Sequence, residues 1–226
     1  MDAFGPRLQT TRATSLEDGN IFQELSTHLI FSVPIALYYS AEAPRLPFGD
    51  ASSFVIPDTP VYLQTHEENT GGRAAIQAVL SARMDENLCE SGQLMRLIVA
   101  CGGNLRDLFT LVTYAAESTQ IRNATQISEA DVTGAVLNLR SDYERRLGQS
   151  PFDIDPVPYA EKVRLLQRIY EGDQDTQIPT PALYSLLTSR AVQEFNGQRW
   201  FGLHPIVVDI LKKQKHLPED AKGGTL

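Results

Sequence analysis

The sequence predicts a mainly α-helical protein with a small amount of β structure. Between residues 72 and 149, four successive segments have apolar residues that recur at helical spacing. Further along the chain, Asn196 and Gly197 stand between two apolar-rich arms, which is the strongest short signal for a β-hairpin. Before the helices, the continuous apolar run of residues 28–39 indicates a buried strand.

The composition excludes several classes of protein. A formal net charge of −8 argues against a protein that coats nucleic acid or an anionic membrane. No apolar run approaches the roughly 18 residues of a membrane span, and residues 1–20 lack the apolar segment of a secretory signal. Cys89 and Cys101 form no metal motif, and we expect both to be reduced. We therefore expect a cytoplasmic protein that makes no membrane contact.

Residues 1–71 are predicted to be loops and short strands. Residues 1–20 are polar and lack periodicity, which is typical of a tail or loop. Pro34 should end pairing in the first strand, because proline cannot donate to a β ladder. Two further strand candidates, residues 54–56 and 61–64, lie in a segment rich in proline and glycine.

The helices of residues 72–149 are marked by their start signals. Ser91 is expected to cap the second helix and Asn104 the third. Ser128 and Asp131 stand at capping-box spacing at the start of the fourth. Together these signals predict a small bundle.

A second helical module is predicted after a linker. Three prolines mark residues 150–158 as the linker. Residues 159–216 then show helix, helix, hairpin and helix in order, which is the outline of a winged-helix domain. The net charge is −7 over residues 1–150 and zero over residues 151–216, which also indicates a boundary. Residues 217–226 are expected to be a frayed tail.

The charge of this module does not favour DNA as its partner. Weak candidate contacts to DNA or a partner are Arg190 in the presumed recognition helix, Arg199 in the wing, and Lys212 and Lys213 at the end of the last helix. A net charge of zero supplies little of the attraction to phosphate that dominates DNA affinity. We therefore favour docking to another protein or to another part of the same chain. His204 is expected to cap or pack, and Trp200 to lie in the core.

Arg106 is the residue of the stretch CGGNLRDLFTLV, residues 101–112, that helix formation does not require. The two glycines end one helix, and Asn104 starts the next. Arg106 places a positive charge in the first turn, against the helix dipole, which costs about 0.3–1 kcal/mol. Asp107 can offset that charge, and in that case Arg106 has no role beyond the turn between two packed helices. Alternatively, Arg106 and the helix N-terminus bind an anion such as a nucleotide phosphate.

The order of these elements resembles the C-terminal half of AAA+ or STAND-type P-loop ATPases. A strand precedes four helices, and the third helix opens with G-x-x-R. The resemblance implies that Arg106 is the sensor 2 arginine, which reaches the nucleotide γ-phosphate. The strand LIFSVPIA is similar to the one that carries sensor 1, and it places Ser32 at the sensing position. A lid followed by a winged-helix domain also resembles bacterial ATPases related to origin-recognition initiators and transposition regulators. The resemblance covers roughly residues 25–213.

The resemblance implies a division of the chain into five parts. Residues 1–71 would be the end of an ATPase core, 72–149 a four-helix lid, 150–158 a linker, 159–216 a winged-helix domain and 217–226 a tail. The fold class is therefore mainly α with small β, comprising a remnant of an α/β ATPase core, the lid and the winged helix.

The sequence departs from this family in lacking the Walker A and Walker B motifs. No catalytic residue, metal site or self-contained cofactor site is therefore predicted, and ATP and Mg²⁺ are implied only for a complete ATPase. The expected function is the C-terminal regulatory portion of such an ATPase, truncated, split or degenerate, that couples nucleotide state to a protein or DNA partner. Its own partner would be the missing P-loop portion or a partner subunit, and homo-oligomerisation stays open. The alternatives are a stand-alone winged-helix DNA-binding regulator with a helical dimerisation bundle, and a helical adaptor without a nucleotide.

Overall fold

The computed structural model describes residues 26, 28, 30, 32–40, 43, 53–148, 156–196 and 198–224. Over these residues the chain is mainly helical and contains one two-stranded antiparallel sheet, which confirms the prediction of a mainly α protein with a small amount of β structure. The chain divides into two compact units, Met1–Ile56 and Pro57–Leu226. No helix of the described residues combines the length and the apolar character that a membrane crossing requires.

In the first unit, the apolar run that predicts a strand contains a short helix instead. Helix α1 spans Ile35–Tyr38 and begins directly after Pro34, whose carbonyl accepts from the Leu37 amide at 3.0 Å. Pro34 thus starts a helix rather than ending a strand, because its restricted φ suits a helix start and its missing N–H would be unpaired there anyway. The strand prediction is wrong here, since a short apolar run does not by itself distinguish a strand from a helix.

The two other strand candidates do not form strands either. Phe54 and Ile56 are 85% and 93% exposed and lie outside any regular element. Residues 61–64 contribute only an isolated antiparallel bridge between Tyr62 and Glu68. The prolines of this segment account for the difference, because each removes an amide from a possible ladder.

The four predicted helices of the bundle are present. Helix α2 spans Thr70–Ser81, α3 Gln93–Ala100, α4 Leu105–Ile121 and α5 Glu129–Leu147. Helix α3 begins after Gly92 in a left-handed conformation (φ 80°), not at Ser91 as expected. Helices α4 and α5 make the most extensive contact of the molecule. The core of the bundle consists of fully buried side chains of α3, α4 and α5: Leu97, Ile98, Leu108, Leu111, Ala115, Val132, Leu139 and Tyr143.

The second module contains the predicted helices and hairpin. Helix α6 spans Tyr159–Tyr170, α7 Pro181–Thr188 and α8 Pro205–Lys213, while β1 (Val192–Phe195) pairs with β2 (Trp200–Leu203). The antiparallel register places Gln193 opposite Gly202 and Phe195 opposite Trp200. Phe201 is buried in the core, whereas Trp200, which was expected there, is half-buried.

Helix α8 joins the hairpin module to the bundle. It packs on α5 and α3, and seven of its nine residues, 205–211, are buried. A buried ion pair strengthens this contact: Arg140 of α5 donates to the Asp209 carboxylate at 3.2 Å. The bundle and the hairpin module therefore belong to one packed unit, and the predicted boundary at residues 150–158 stays a prediction.

The end of the chain is packed, not frayed, as far as residue 224. Leu217 and Ala221 are buried. The hydroxyl of Tyr62 donates to the Gly224 carbonyl at 2.7 Å, and that of Tyr170 donates to the Lys222 carbonyl at 3.0 Å. Burial raises the pKa of both tyrosines, so both hydroxyls keep the proton that they donate. The expectation of a frayed tail missed these contacts because they reach far along the sequence.

Candidate functional site

The turn that precedes α4 requires both of its glycines. Gly102 and Gly103 adopt left-handed backbone conformations, with φ of 59° and 88°. A Cβ on Gly102 would lie 2.7 Å from the His204 ring, and one on Gly103 would overlap the carbonyl oxygen of Thr59. The turn is therefore closely packed against two other parts of the chain, as well as being a helix stop.

Asn104 caps helix α4, as the sequence predicts. Its Oδ1 accepts from the amides of Arg106 and Asp107, each at 3.1 Å. Its Nδ2 donates to the Asp58 carboxylate at 3.1 and 3.2 Å. The cap satisfies amide groups that an anion would otherwise bind at the helix N-terminus. An anion at this turn would therefore depend on the arginine side chain.

Asp107 is buried and fully engaged within the protein. Its carboxylate accepts from the Tyr143 hydroxyl at 2.7 Å and from the Arg190 guanidinium at 3.2 Å. Burial and the Asp107 charge hold the pKa of Tyr143 well above its usual range, so that hydroxyl remains a donor. Asp107 thus does more than offset the charge of Arg106, because it binds the helix start to two other elements.

His204 is a neutral cap inside the same cluster. Its Nδ1 accepts from the Ile206 amide at 3.2 Å, so its Nε2 carries the proton and donates to the Cys101 carbonyl at 3.0 Å. The ring is completely buried and stacks on Tyr143, with centroids 4.5 Å apart. Burial lowers the pKa of His204, although the Asp107 carboxylate acts in the opposite direction. The expectation that His204 caps or packs is confirmed.

Gln193 connects the hairpin to the same turn. Its Nε2 donates to the Asp58 carboxylate at 2.6 Å and to the Gly102 carbonyl at 3.1 Å. Nothing in the local sequence around Gln193, Asp58 or Tyr143 predicted these roles. Their partners lie 135, 91 and 36 positions away.

This cluster contains no accessible nucleophile or general base. Burial raises the pKa of Cys101 to about 12, and its thiol is fully buried. His204 is equally inaccessible. Among the described residues, no group of three or more histidine, cysteine, aspartate or glutamate side chains could hold a metal ion.

Arg106 differs from its neighbours in having an exposed and unengaged side chain. Its backbone takes part in the cap and accepts from Thr110, but its guanidinium makes no hydrogen bond or ion pair within the described part of the chain. It thus remains available to a group outside this chain. The prediction that it senses a phosphate stays a prediction.

Ser32, the predicted sensor 1 residue, is exposed and lies outside any strand. It belongs to the first unit, whereas Arg106 belongs to the second. None of the described residues next to Ser32 (30, 33 and 34) lies in a strand, and the sensing role of Ser32 stays a prediction.

The four basic residues predicted to contact DNA or a partner have different surroundings. Arg190 has a left-handed backbone (φ 62°) and pairs with Asp107. Arg199 is exposed and donates to the Gln177 side chain at 3.3 Å. Lys212 is half-buried beside the terminal segment at Gly224, and Lys213 is exposed. Arg190 therefore holds the module together, and Arg199 and Lys213 remain exposed cations.

Comparison of the chain with protein-family models, with curated proteins and with solved structures finds no match.

Proposed function

We propose that this chain is the regulatory, C-terminal portion of an AAA+/STAND-like P-loop ATPase of the cytoplasm. In this proposal, the bundle α2–α5 is the lid over a nucleotide, and the hairpin module carries the response to a protein partner. Arg106 contacts the phosphate of a nucleotide that a separate P-loop portion holds.

The observation that carries the proposal is the unengaged guanidinium of Arg106. The neighbouring side chains at this helix start are engaged: Asn104 caps, Asp107 binds Tyr143 and Arg190, and Asp58 is bound from two sides. An arginine in a first turn opposes the helix dipole. An external anion would relieve this cost and form charge-assisted hydrogen bonds with the guanidinium.

The contacts around Arg106 also support a role in coupling. Its helix start is bound to the hairpin module at three places: Asp107 to Arg190, Cys101 to His204, and Gly102 to Gln193. A shift of the first turn on phosphate binding would strain all three contacts. The hairpin module would then respond, because such a closely packed cluster does not deform continuously.

The chain's own contribution to nucleotide binding is limited to that one guanidinium. Asn104 already occupies helix-start amides, and the sequence contains no P-loop to hold phosphate or Mg²⁺. ATP and Mg²⁺ would supply phosphoryl-transfer chemistry on the P-loop portion. The chain alone should therefore neither bind ATP tightly nor hydrolyse it.

Two measurements test this proposal. Isothermal titration calorimetry of the chain with ATP and Mg²⁺ should show no tight binding, and micromolar affinity would contradict the proposal. Purification of the tagged chain from its native cells should yield a bound protein with a Walker A motif and ATPase activity. Absence of any P-loop partner would also contradict it.

The competing DNA-binding function predicts a different result. A winged-helix regulator would bind duplex DNA by itself, with an affinity that falls steeply with salt as several phosphate contacts are lost. Because Arg190 is paired with Asp107, we expect weak binding and a shallow salt slope. A slope that corresponds to several phosphates would favour the regulator over the ATPase portion.

A further inference from the structure

The hairpin has one face on which aromatic rings surround a glycine and a glutamine. In an antiparallel pair, directly opposed residues share a face, and so do residues two apart on one strand. Gln193, Phe195, Trp200 and Gly202 therefore lie together. The rings of Phe195 and Trp200 are 4.5 Å apart, and a Cβ on Gly202 would lie 2.8 Å from the Trp200 ring. Gly202 thus gives the tryptophan room to lie over the strand.

This face forms part of a cleft in the second unit. The cleft is partly open, and its empty space of about 520 Å³ includes open solvent, so its lining residues rather than its volume restrict the ligand. The hairpin residues form one wall. Aromatic side chains from outside the hairpin, His66 stacked on Tyr170 with centroids 4.2 Å apart, form another.

Gln193 brings an unpaired hydrogen-bond acceptor to this cleft. The two groups near its Nε2, the Asp58 carboxylate and the Gly102 carbonyl, can only accept hydrogen bonds, which fixes the orientation of the amide. Its Oε1 is buried and has no donor in the described part of the chain. A buried carbonyl oxygen without a donor is costly, because it has lost its bonds to water.

The charges around the cleft restrict the ligand that could supply the donor. No lysine or arginine lines the cleft, and the Asp58 carboxylate lies directly behind Gln193. The hydroxyls of Tyr62 and Tyr170 already donate to the terminal segment. An anion is therefore disfavoured, and a neutral ring that carries an N–H group fits both the aromatic walls and the acceptor.

We propose that this cleft binds a small, neutral, planar heteroaromatic molecule, which stacks on Trp200 and donates a ring N–H to Oε1 of Gln193. The oxygen is covered in the free chain, so binding requires a lining side chain to turn. We expect Trp200 to turn more easily than Phe195, because Trp200 is half-buried whereas Phe195 is buried, with 5% exposed. The inference does not rest on the proposed ATPase role, although Gln193 also contacts Gly102 at the start of α4.

The test uses two probes of nearly identical shape and the full chain. Benzimidazole has a ring N–H donor, and 1-methylbenzimidazole has none; both are neutral at slightly alkaline pH. Binding at millimolar concentration is followed by ¹H–¹⁵N NMR, in which the indole signal belongs to Trp200, the single tryptophan. Benzimidazole should shift the signals of Trp200 and of the Gln193 carboxamide, and the methylated probe should bind about fivefold or more weakly.

Variants locate the donor contact. Gln193→Met should abolish the preference for benzimidazole, whereas Gln120→Met, on an exposed position of α4 outside the cleft, should keep it. Because Gln193→Met also removes two internal hydrogen bonds, the probe comparison on the unaltered chain is decisive. Equal binding of the two probes, no binding at millimolar concentration, or shifts that avoid Trp200 would each overturn the proposal.

Discussion

The guanidinium of Arg190 lies 3.2 Å from the carboxylate of Asp107, and this ion pair joins the end of α7 to the first turn of α4. The Asp107 side chain is 3% exposed and that of Arg190 is 26% exposed. The pair therefore compensates the buried charge of Asp107 in the first turn of α4, which also contains Arg106. It is one of three direct links between the helix start and the hairpin module.

Removal of Arg190 should destabilise the protein by leaving the Asp107 charge only partly compensated. We expect Arg190→Ala to lower the free energy of unfolding by about 2–3 kcal/mol, measured by urea denaturation. Arg190→Ala should cost less free energy of unfolding in a chain that already carries Asp107→Asn, because that chain has no carboxylate charge left to compensate. Additive effects of the two substitutions would show that the pair does not interact.

Gly103 should not tolerate even a methyl group. Gly103→Ala combines a left-handed backbone with an overlap onto the Thr59 carbonyl, so we expect a loss of at least about 2 kcal/mol in the free energy of unfolding. Gly134, inside α5, is the matched control because a Cβ there meets no atom within 4 Å. Gly134→Ala should stabilise the protein by up to about 1 kcal/mol. Equal effects at the two positions would contradict the packing described here.

The neutral, buried His204 should make the protein less stable in mild acid. Its pKa is lower in the folded than in the unfolded chain, so the unfolded chain binds the extra proton as the pH falls below about 6.5. The contribution of neutral His204 to the free energy of unfolding is fully present above that pH. Below it, the free energy of unfolding should fall by at most about 1.4 kcal/mol per pH unit. Urea denaturation between mildly alkaline and mildly acidic pH should show this slope, and His204→Asn should flatten it. An unchanged slope in the variant would assign the effect to other groups.

Asp131 should be essential to the start of α5. It is 1% exposed and accepts from the Ser128 amide at 2.9 Å, the Ser118 hydroxyl at 2.7 Å and the Arg122 guanidinium. The pKa of Asp131 lies below its usual range, mainly because the Arg122 guanidinium donates hydrogen bonds to the carboxylate. Asp131→Asn should cost about 3 kcal/mol in thermal or urea unfolding, because an amide cannot accept from all these donors. The exposed Glu129→Gln, in the same helix turn, should change stability little.

Local sequence signals were sufficient for most helices and for the hairpin. Asn104 caps α4, Ser128 and Asp131 form the capping box of α5, and residues 192–203 form the hairpin around Asn196. Each signal acts within a few residues, so each can be predicted from the sequence. The apolar run at residues 28–39 failed because periodicity does not resolve so short a segment.

The surroundings of the candidate site could not be predicted in this way. Arg106 was singled out because it opposes the helix dipole, a local feature. The links from Asp58 to Gln193 and from Asp107 to Arg190 join residues 135 and 83 positions apart, and nothing near them in the sequence specifies the partner. For the same reason Arg190 was assigned to an external partner, whereas the structure pairs it internally.

The proposed role of Arg106 is tested most directly by the ATPase rate of a complex between this chain and the proposed P-loop partner. Arg106→Ala should lower that rate by about tenfold or more, because the guanidinium would stabilise phosphate charge in the transition state. Arg164→Ala is the control, since Arg164 is exposed on α6 and its side chain donates only within its own helix. It should leave the rate unchanged. An Arg106→Ala complex that hydrolyses ATP at the unaltered rate would contradict the proposed function.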